Sequence, residues 1–257
     1  MIHSKPEKTA LITGATSGFG AAIAEKFAEA GLRLIITGRR DDRLRDLKKK
    51  LIEQNGVEVL TLNFDVRDKV QVDSAFASLP EDWKNIDILI NNAGLAVGRN
   101  NLADGVVDDW ERMIDTNLKG LLYVTRNIAP MMIRANKGHI INIGSIAGKE
   151  VYPEGNVYCA TKFGVDALTQ SLRMELVKDN IKVSQIAPGA ADTEFSLVRF
   201  KGDTETATNV YMGFIPLSAD DVAEAAWFIV SRPAHVCIND MVIMPTAQAT
   251  ATIFSKH

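Results

Sequence analysis

Apolar and polar positions alternate in blocks along the chain and predict a repeated order of strand and helix. Seven short apolar runs are typical of buried strands: Thr9–Thr13, Leu34–Thr37, Val57–Leu62, Ile86–Ile90, His139–Ile143, Lys182–Ile186 and Val236–Met244. Helical patterns lie between them: one that ends at Ala30, then Asp41–Gln54, Lys69–Leu79, Val107–Ala135, Tyr158–Lys178 and one that begins after Ser218. This alternation predicts an α/β fold with a parallel sheet of about seven strands and helices on both faces.

The first strand runs directly into a glycine-rich turn, Gly14-Ala15-Thr16-Ser17-Gly18-Phe19-Gly20, which a helix follows. The backbone N–H groups of such a turn and the positive end of the helix attract an anion, and glycines let a ligand approach closely. We therefore expect a phosphate site here. The alternative is a tight turn without a ligand. The candidate cofactor residues of this segment are Gly14, Thr16, Ser17, Gly18, Phe19 and Gly20.

A second candidate site combines Ser145 with Tyr158 and Lys162. Tyr158 and Lys162 are four residues apart, so on a helix they lie on one face. An ammonium beside a phenol favours the phenolate and is expected to lower its pKa from about 10. Ser145 offers a hydroxyl that could fix a substrate oxygen. The alternative is an aromatic residue and a lysine on an ordinary amphipathic helix.

Composition narrows the function classes. The chain has 257 residues and a net charge of −3, so it lacks the basic footprint of a nucleic-acid-binding protein. No apolar run approaches the roughly 20 residues that span a bilayer, and residues 1–8 lack the apolar centre of a signal peptide. The two cysteines and four scattered histidines have no metal-ligand spacing, so we expect no metal. We expect one domain over residues 1–257 in a reducing cytoplasm.

Six motifs occur in the order found in the short-chain dehydrogenase/reductase family, which the chain resembles over nearly its whole length. They are Thr13-Gly14-x3-Gly18-x-Gly20, Asn91-Asn92-Ala93-Gly94, Asn117, Ser145, Tyr158/Lys162 and Pro188-Gly189-x3-Thr193. The resemblance implies a Rossmann-type, doubly wound sheet and an oxidoreductase. Residues 114–117, 155–158, 194–203 and 244–248 more closely resemble the NADP-dependent 3-hydroxy acid (serine-type) dehydrogenases.

Two arginines at the end of the second strand, Arg39 and Arg40, indicate which nicotinamide cofactor binds. An acidic residue there would bind the ribose diol of NAD, whereas a cation accommodates the 2′-phosphate of NADP. Asp41 and Asp42 more plausibly begin the next helix, where carboxylates are favoured. We therefore predict NADP(H). The alternative is a solvated pair of arginines.

Further roles are implied by the resemblance alone. Family members contact adenine through residues at Asp65 and Val66, and hold the cofactor near Asn91, Ala93 and Gly94. A structural turn is the alternative for Asn91. Residues that match Pro188 and Gly189 shape the nicotinamide pocket of family members. The residue that matches Thr193 reaches the carboxamide or a phosphate, and those that match Tyr158 and Lys162 lie at the nicotinamide ribose. Asn117 is implied to hold a water that links the lysine to solvent, with a helix kink as the alternative. Tyr158 would then be the acid–base and Ser145 the oxygen anchor.

A single cationic side chain, Arg199, is the basis for predicting the substrate class. Arg199 lies in the variable lid, approximately residues 190–217, and Tyr152, Asn156, Gln248 and Ser145 are polar candidates beside it. A lid arginine suits a small 3-hydroxy acid of the serine, allo-threonine or 3-hydroxypropionate type, or the corresponding aldehyde or ketone. A sulfonate analogue, a broad carbonyl reductase and a non-catalytic NADP sensor remain as alternatives. The resemblance also implies a homotetramer.

Overall fold

The computed structural model describes residues 8–256. The prediction that residues 1–8 lack a signal peptide therefore lies almost entirely outside the described residues. Seven parallel strands form one sheet in the order β3-β2-β1-β4-β5-β6-β7. They are β1 (Thr9–Ile12), β2 (Arg33–Gly38), β3 (Val59–Asn63), β4 (Ile88–Asn91), β5 (Gly138–Ile143), β6 (Ile181–Pro188) and β7 (Asp240–Ile243). The strand order reverses between β1 and β4, and ligands of open α/β sheets bind beside such a switch point.

The described helices follow the predicted pattern closely. They are α1 (Gly18–Glu29), α2 (Asp41–Asn55), α3 (Lys69–Ala77), α4 (Val107–Ile114), α5 (Leu121–Ala135), α6 (Asn156–Leu176), α7 (Glu194–Arg199), α8 (Thr204–Asn209) and α9 (Ala219–Val230). Ser218 and Asp221 form the expected reciprocal capping box at the start of α9. The short helices α7 and α8 lie inside the predicted lid segment.

The sheet carries an apolar layer on each face because successive strand residues point to opposite sides. Ile12 and Ile36 pack in the layer that holds Phe27 of α1 and Val222 of α9. Leu11 and its neighbours pack on the other face in a second cluster that includes residues of α3, α5 and α6. Among the described helices, none is both long and apolar enough to cross a membrane.

Most predicted boundaries lie within two residues of those observed, and two elements differ more than that. The predicted helix Val107–Ala135 contains a π-helical turn at Asp115–Gly120 between α4 and α5. At this turn Gly120 packs closely on Val66, since a Cβ added to the glycine would lie 2.8 Å from Val66 Cγ2. The last strand was predicted over Val236–Met244 but spans only Asp240–Ile243, because only these residues pair with β6.

Candidate active site

The glycine turn between β1 and α1 has the geometry of an anion cradle. Gly14 and Gly18 have φ values of +66° and +52°, a region that favours glycine. A Cβ on Gly20 would collide with the Gly14 carbonyl oxygen. Ser17 is the N-cap of α1, yet its side chain does not cap the helix. The first N–H groups of α1 are therefore left for other acceptors, which an anion could supply.

The segment after β4 fastens this turn through Asn92 and Thr13. The Thr13 hydroxyl oxygen accepts hydrogen bonds from the Asn92 and Ala93 backbone N–H groups, both at 3.0 Å. Asn92 Nδ2 donates to the Thr13 carbonyl at 2.8 Å. The Asn91 side chain points into the core instead and donates to Thr125 Oγ1 and Asn142 Oδ1. Asn92, rather than the predicted Asn91, thus lines the cavity at the switch point.

A cavity of about 290 Å³ runs along the carboxyl edge of the sheet from the glycine turn to Tyr158. Most predicted cofactor residues line it: Gly14, Thr16, Ser17, Gly18, Phe19, Arg39, Arg40, Asp65, Val66, Ala93, Gly94, Tyr158, Lys162 and Thr193. Gly20 supports the turn from behind. Pro188 and Gly189 line an adjoining cavity that shares Phe19, Tyr158 and Thr193 with the first.

The two arginines after β2 have different surroundings. Arg39 is 58% exposed and lies 3.6 Å from the Asp65 carboxylate. Arg40 Nη2 donates to Thr16 Oγ1 and Ser17 Oγ, at 3.0 and 2.8 Å. Its Nη1 donates to Glu194 Oε2 at 2.9 Å. Arg40 is therefore held against the glycine turn, while Arg39 extends toward solvent.

Asp65, the predicted adenine contact, is already engaged by a neighbour. Arg67 forms a fork on its carboxylate, with Arg67 Nη2 2.7 Å from Asp65 Oδ2. Burial raises the pKa of Asp65, but the hydrogen bonds from Arg67 outweigh it and the pKa is lowered. Arg67 was not singled out from the sequence.

Ser145, Tyr158 and Lys162 come together where β5 and α6 meet. Tyr158 and Lys162 are 8% and 6% exposed, and the Ser145 and Tyr158 hydroxyls share a hydrogen bond. Lys162 Nζ donates to the Ile143 carbonyl at the end of β5, at 2.9 Å. The same nitrogen lies 5.9 Å from the centroid of the Tyr158 ring. The structure thus brings all three predicted residues into one buried cluster.

The protonation of this cluster differs from the sequence expectation. Burial raises the pKa of Tyr158 above its ordinary value, as does Tyr152, while the Ser145 hydrogen bond and the Arg199 charge lower it. Burial lowers the pKa of Lys162 to about 8. The expectation that Lys162 lowers the tyrosine pKa is therefore not met, because desolvation dominates and the opposing cation is Arg199.

Asn117 sits in the π-helical turn and holds two other segments. Its Oδ1 accepts from Leu95 N, and its Nδ2 donates to Leu95 O, both at 2.8 Å. Nδ2 also donates to Thr161 Oγ1 on α6 at 3.0 Å. A Cβ on Gly94 would lie 3.3 Å from Asn117 Oδ1 and 3.6 Å from Lys162 Nζ. The Asn117 side chain therefore fixes the walls around Lys162, and the absence of a Cβ at Gly94 leaves room there.

The adjoining cavity, of about 740 Å³, opens on the other side of Tyr158. Arg199, at the end of α7, lines it together with Ser145 and Tyr152. The Arg199 guanidinium carbon lies 5.4 Å from the Tyr152 ring centroid and 5.8 Å from that of Tyr158. Its Nε is buried and has no hydrogen-bond partner among the described residues. A cation with an unused donor thus lies beside the tyrosine.

The other two substrate candidates bind the protein's own backbone. Gln248 is 6% exposed, and its Oε1 accepts from Ala190 N at 2.7 Å, so it braces the base of the lid at the cavity wall. Asn156 donates to the Asn100 carbonyl at 2.9 Å and lines a separate narrow crevice. Arg99 and Lys256 line the larger cavity as well, although nothing in their local sequence marked them.

Comparison with known proteins identifies the family to which the chain is similar. A sequence profile of the family described as short chain dehydrogenase matches residues 8–202. The NADP-dependent 3-hydroxy acid dehydrogenase YdfG of Salmonella typhi is 48% identical over 242 residues, which cover 94% of this chain and 96% of the relative. Sulfoacetaldehyde reductase 2 of Chromohalobacter salexigens is 45% identical over 240 residues, with 93% and 94% covered.

A solved structure supports the same relationship. The closed form of serine dehydrogenase complexed with NADP+ has a TM-score of 0.90 and 46% identity to this chain, and covers 97% of this chain and 99% of that chain. The predicted fold and the predicted family are both confirmed. The chain belongs to the short-chain dehydrogenase/reductase family.

Proposed function

We propose that this chain, an NADP-dependent oxidoreductase of its family, transfers a hydride between NADP(H) and a small 3-hydroxy acid or the corresponding aldehyde or ketone. Serine, allo-threonine and 3-hydroxypropionate are the substrate types that we favour. The observation that carries the proposal is the position of Arg199, which lines the cavity beside Tyr158 and whose buried Nε has no hydrogen-bond partner among the described residues. The relatives named as a 3-hydroxy acid dehydrogenase and a serine dehydrogenase support it.

The residues at the carboxyl edge fit NADP(H). The glycine turn leaves no Cβ in the way of a pyrophosphate, and the uncapped start of α1 supplies N–H donors. Arg39 and Arg40 offer guanidinium groups for a 2′-phosphate, and no acidic residue occupies the end of β2. When bound, the nicotinamide supplies or accepts the hydride. Tyr158 and Lys162 lie at the opposite end of the same cavity, where they can contact its ribose.

The protein's own residues manage the proton. With its raised pKa, Tyr158 keeps its proton at neutral pH and can donate it to a carbonyl oxygen during reduction. Ser145 holds that oxygen near the phenol. In the oxidative direction Tyr158 can accept the alcohol proton only after it has lost its own, and its raised pKa makes that loss unfavourable at neutral pH. Lys162, with a pKa of about 8, exchanges its proton near neutral pH and is suited to relay one toward Tyr158.

A sulfonate substrate is the second candidate, because one relative is named a sulfoacetaldehyde reductase. A guanidinium fork binds a carboxylate or a sulfonate through the same oxygens. A broad carbonyl reductase is disfavoured, since bulky neutral ketones would leave Arg199 desolvated and unpaired. A pure NADP sensor would have no need of Ser145, Tyr158 and Lys162 together.

The decisive experiment compares an acid with an uncharged alcohol of the same length. Arg199→Ala should lower kcat/KM for the hydroxy acid roughly 10-fold or more, because a hydrogen bond to a charged group contributes at least ~1.5 kcal/mol. Arg199→Lys should rescue only part of this loss, since the ammonium lacks the planar fork. The uncharged alcohol should be a poor substrate of the native enzyme and lose little more.

Arg99→Ala is the matched control, because Arg99 lines the same cavity but is ion-paired with Glu154 at 2.9 Å. It should change the ratio of acid to alcohol much less than Arg199→Ala. An unchanged ratio in Arg199→Ala would contradict the anion clamp and favour the broad carbonyl reductase. A carboxylate and its sulfonate analogue, compared in the native enzyme, then rank the two acid classes.

A further inference from the structure

Helix α7 connects the two cavities, with a charged residue at each end. Its first residue, Glu194, lines the cavity of the glycine turn. Its last residue, Arg199, lies against the Tyr152 and Tyr158 rings in the adjoining cavity. The helix is six residues long, so one short segment joins the two charges. Contacts at one end can therefore affect the position of the other end.

Glu194 binds Arg40, which we assign to the 2′-phosphate of the cofactor, and also the neighbouring Arg43. Its Oε2 accepts from Arg40 Nη1 at 2.9 Å, and its Oε1 accepts from Arg43 Nη1 at 2.6 Å. The Ser17 hydroxyl, which accepts from Arg40 Nη2, is close enough to this carboxylate to help lower its pKa. The three ion-paired side chains are 40–43% exposed, so a ligand in the cavity can reach them. A carboxylate from the lid thus occupies a site that suits a phosphate.

Arg40 cannot take on a further acceptor without an exchange. Its Nε and Nη2 donate to Thr16 and Ser17 on the glycine turn, and its Nη1 donates to Glu194. Of these acceptors only Glu194 is an anion, and it belongs to the lid rather than to the turn. Burial raises the pKa of Glu194, but hydrogen bonds from Arg43 and Arg40 lower it to about 2, so the carboxylate stays charged at neutral pH.

We propose that Glu194 limits the selectivity for the phosphorylated cofactor by competing with the 2′-phosphate for Arg40 and Arg43, so that phosphate binding releases the N-terminal end of α7 and changes the position of Arg199. The inference rests on the proposed use of NADP(H). Arg39 needs no exchange of this kind, because it is exposed and only loosely paired with Asp65. A cofactor without the 2′-phosphate has no group to replace Glu194 on Arg40.

Two roles of Glu194 predict opposite changes in phosphate affinity when its charge is removed, so an experiment can distinguish them. If Glu194 instead oriented Arg40 and Arg43 for the phosphate, removing its charge would weaken phosphate binding. If it competes, removing its charge strengthens that binding. The fragments adenosine 2′,5′-bisphosphate and adenosine 5′-monophosphate differ by the 2′-phosphate and need no substrate, so they separate this question from the hydroxy acid proposal.

The experiment measures Kd for both fragments by calorimetry with the full chain, its Glu194→Gln variant and a Glu205→Gln control. Glu205 lies exposed on α8 in the same lid, and its replacement makes the same change of charge. We expect Glu194→Gln to lower Kd for the bisphosphate about five-fold or more, the scale of a typical coupling between sites. Kd for the monophosphate should change less than about two-fold, because this fragment has no 2′-phosphate to compete with Glu194. The Glu205→Gln control should leave Kd for both fragments unchanged.

An unchanged or raised bisphosphate Kd in Glu194→Gln would overturn the proposal. Equal binding of both fragments by the native protein and by Glu194→Gln would show that the chain does not recognise the 2′-phosphate, and would overturn this inference. If Arg199→Ala does not change the ratio of acid to alcohol turnover, the hydroxy acid proposal fails, but the Kd values of the two fragments still test the role of Glu194.

Amide hydrogen exchange tests the coupling to α7. The bisphosphate, but not the monophosphate, should speed exchange over residues 194–199 of the native chain. In Glu194→Gln the exchange should already be fast and respond little. Slower or unchanged exchange in the native chain with the bisphosphate would refute the release of α7.

Discussion

Tyr158 illustrates how one side chain depends on its surroundings at the residue scale. The phenol is nearly enclosed, and the loss of water around it raises its pKa more than Ser145 and Arg199 lower it. Its ring also packs against Phe195 of the lid, with 5.7 Å between the centroids. The hydroxyl is therefore kept protonated, and Phe195 and Arg199 bring the lid directly against it.

Replacing Tyr158 by Phe should abolish turnover and leave cofactor binding nearly intact. The change removes the transferable proton and almost no volume, and general acid–base catalysis contributes roughly 10²–10⁴-fold. Steady-state kinetics measures the turnover, and fluorescence titration with NADPH measures the binding. Near-normal activity in this variant would rule out Tyr158 as the acid–base group.

At the scale of elements, α6 is connected to β5 through a buried amine. Lys162 Nζ, from α6, donates to the carbonyl of Ile143 where β5 ends. Asn117 in the π-helical turn makes the second connection, through Thr161 on α6 and the backbone of Leu95. These polar links hold the Lys162 amine in a buried site, and burial lowers its pKa to about 8. The protonated amine therefore destabilises the fold.

Lys162→Met should inactivate the enzyme but stabilise the fold at pH 7 by about 1–3 kcal/mol. The unfolded lysine titrates near 10.5 and the folded one near 8, so the penalty of the buried charge is fully present below pH 8. This penalty is lost as the pH rises from 8 toward 10.5, because in that interval the lysine is neutral in the folded state and still protonated in the unfolded state. Urea unfolding at several pH values measures this, and a difference between the proteins that does not shrink with rising pH would contradict it.

At the scale of the whole molecule, the helices around the site leave apolar side chains at the surface. Leu122 on α5 and Phe163 on α6 are 43% and 41% exposed. Leu121, next to Leu122 on α5, is buried at 7% exposure. Exposed apolar patches on two long helices are typical of a symmetric interface between copies.

We expect the protein to form a homotetramer in solution through this surface. Phe163→Glu should shift the sedimenting species to smaller assemblies, because it places a charge in an apolar contact. Ile215→Glu serves as the control, since Ile215 is 87% exposed in the lid. Sedimentation of the native protein only as a monomer at micromolar concentration would reject the prediction.

The sequence by itself determined the features that depend on neighbours within a few residues. Strand and helix periodicity predicted the order of the elements, because each pattern reflects which side of one element is buried. The spacing of glycines located the turn between β1 and α1. The spacing of Tyr158 and Lys162 put both on one side of α6.

Only the tertiary structure decided the features that depend on contacts between distant residues. Asn92 rather than Asn91 lines the cavity because of how the segment after β4 meets β1. Glu194 reaches Arg40 across 154 positions of sequence, and no local pattern contains that pairing. The direction of the Tyr158 pKa was also decided by the fold, since burial is set by everything that packs around a side chain and not by the cation one helical turn away.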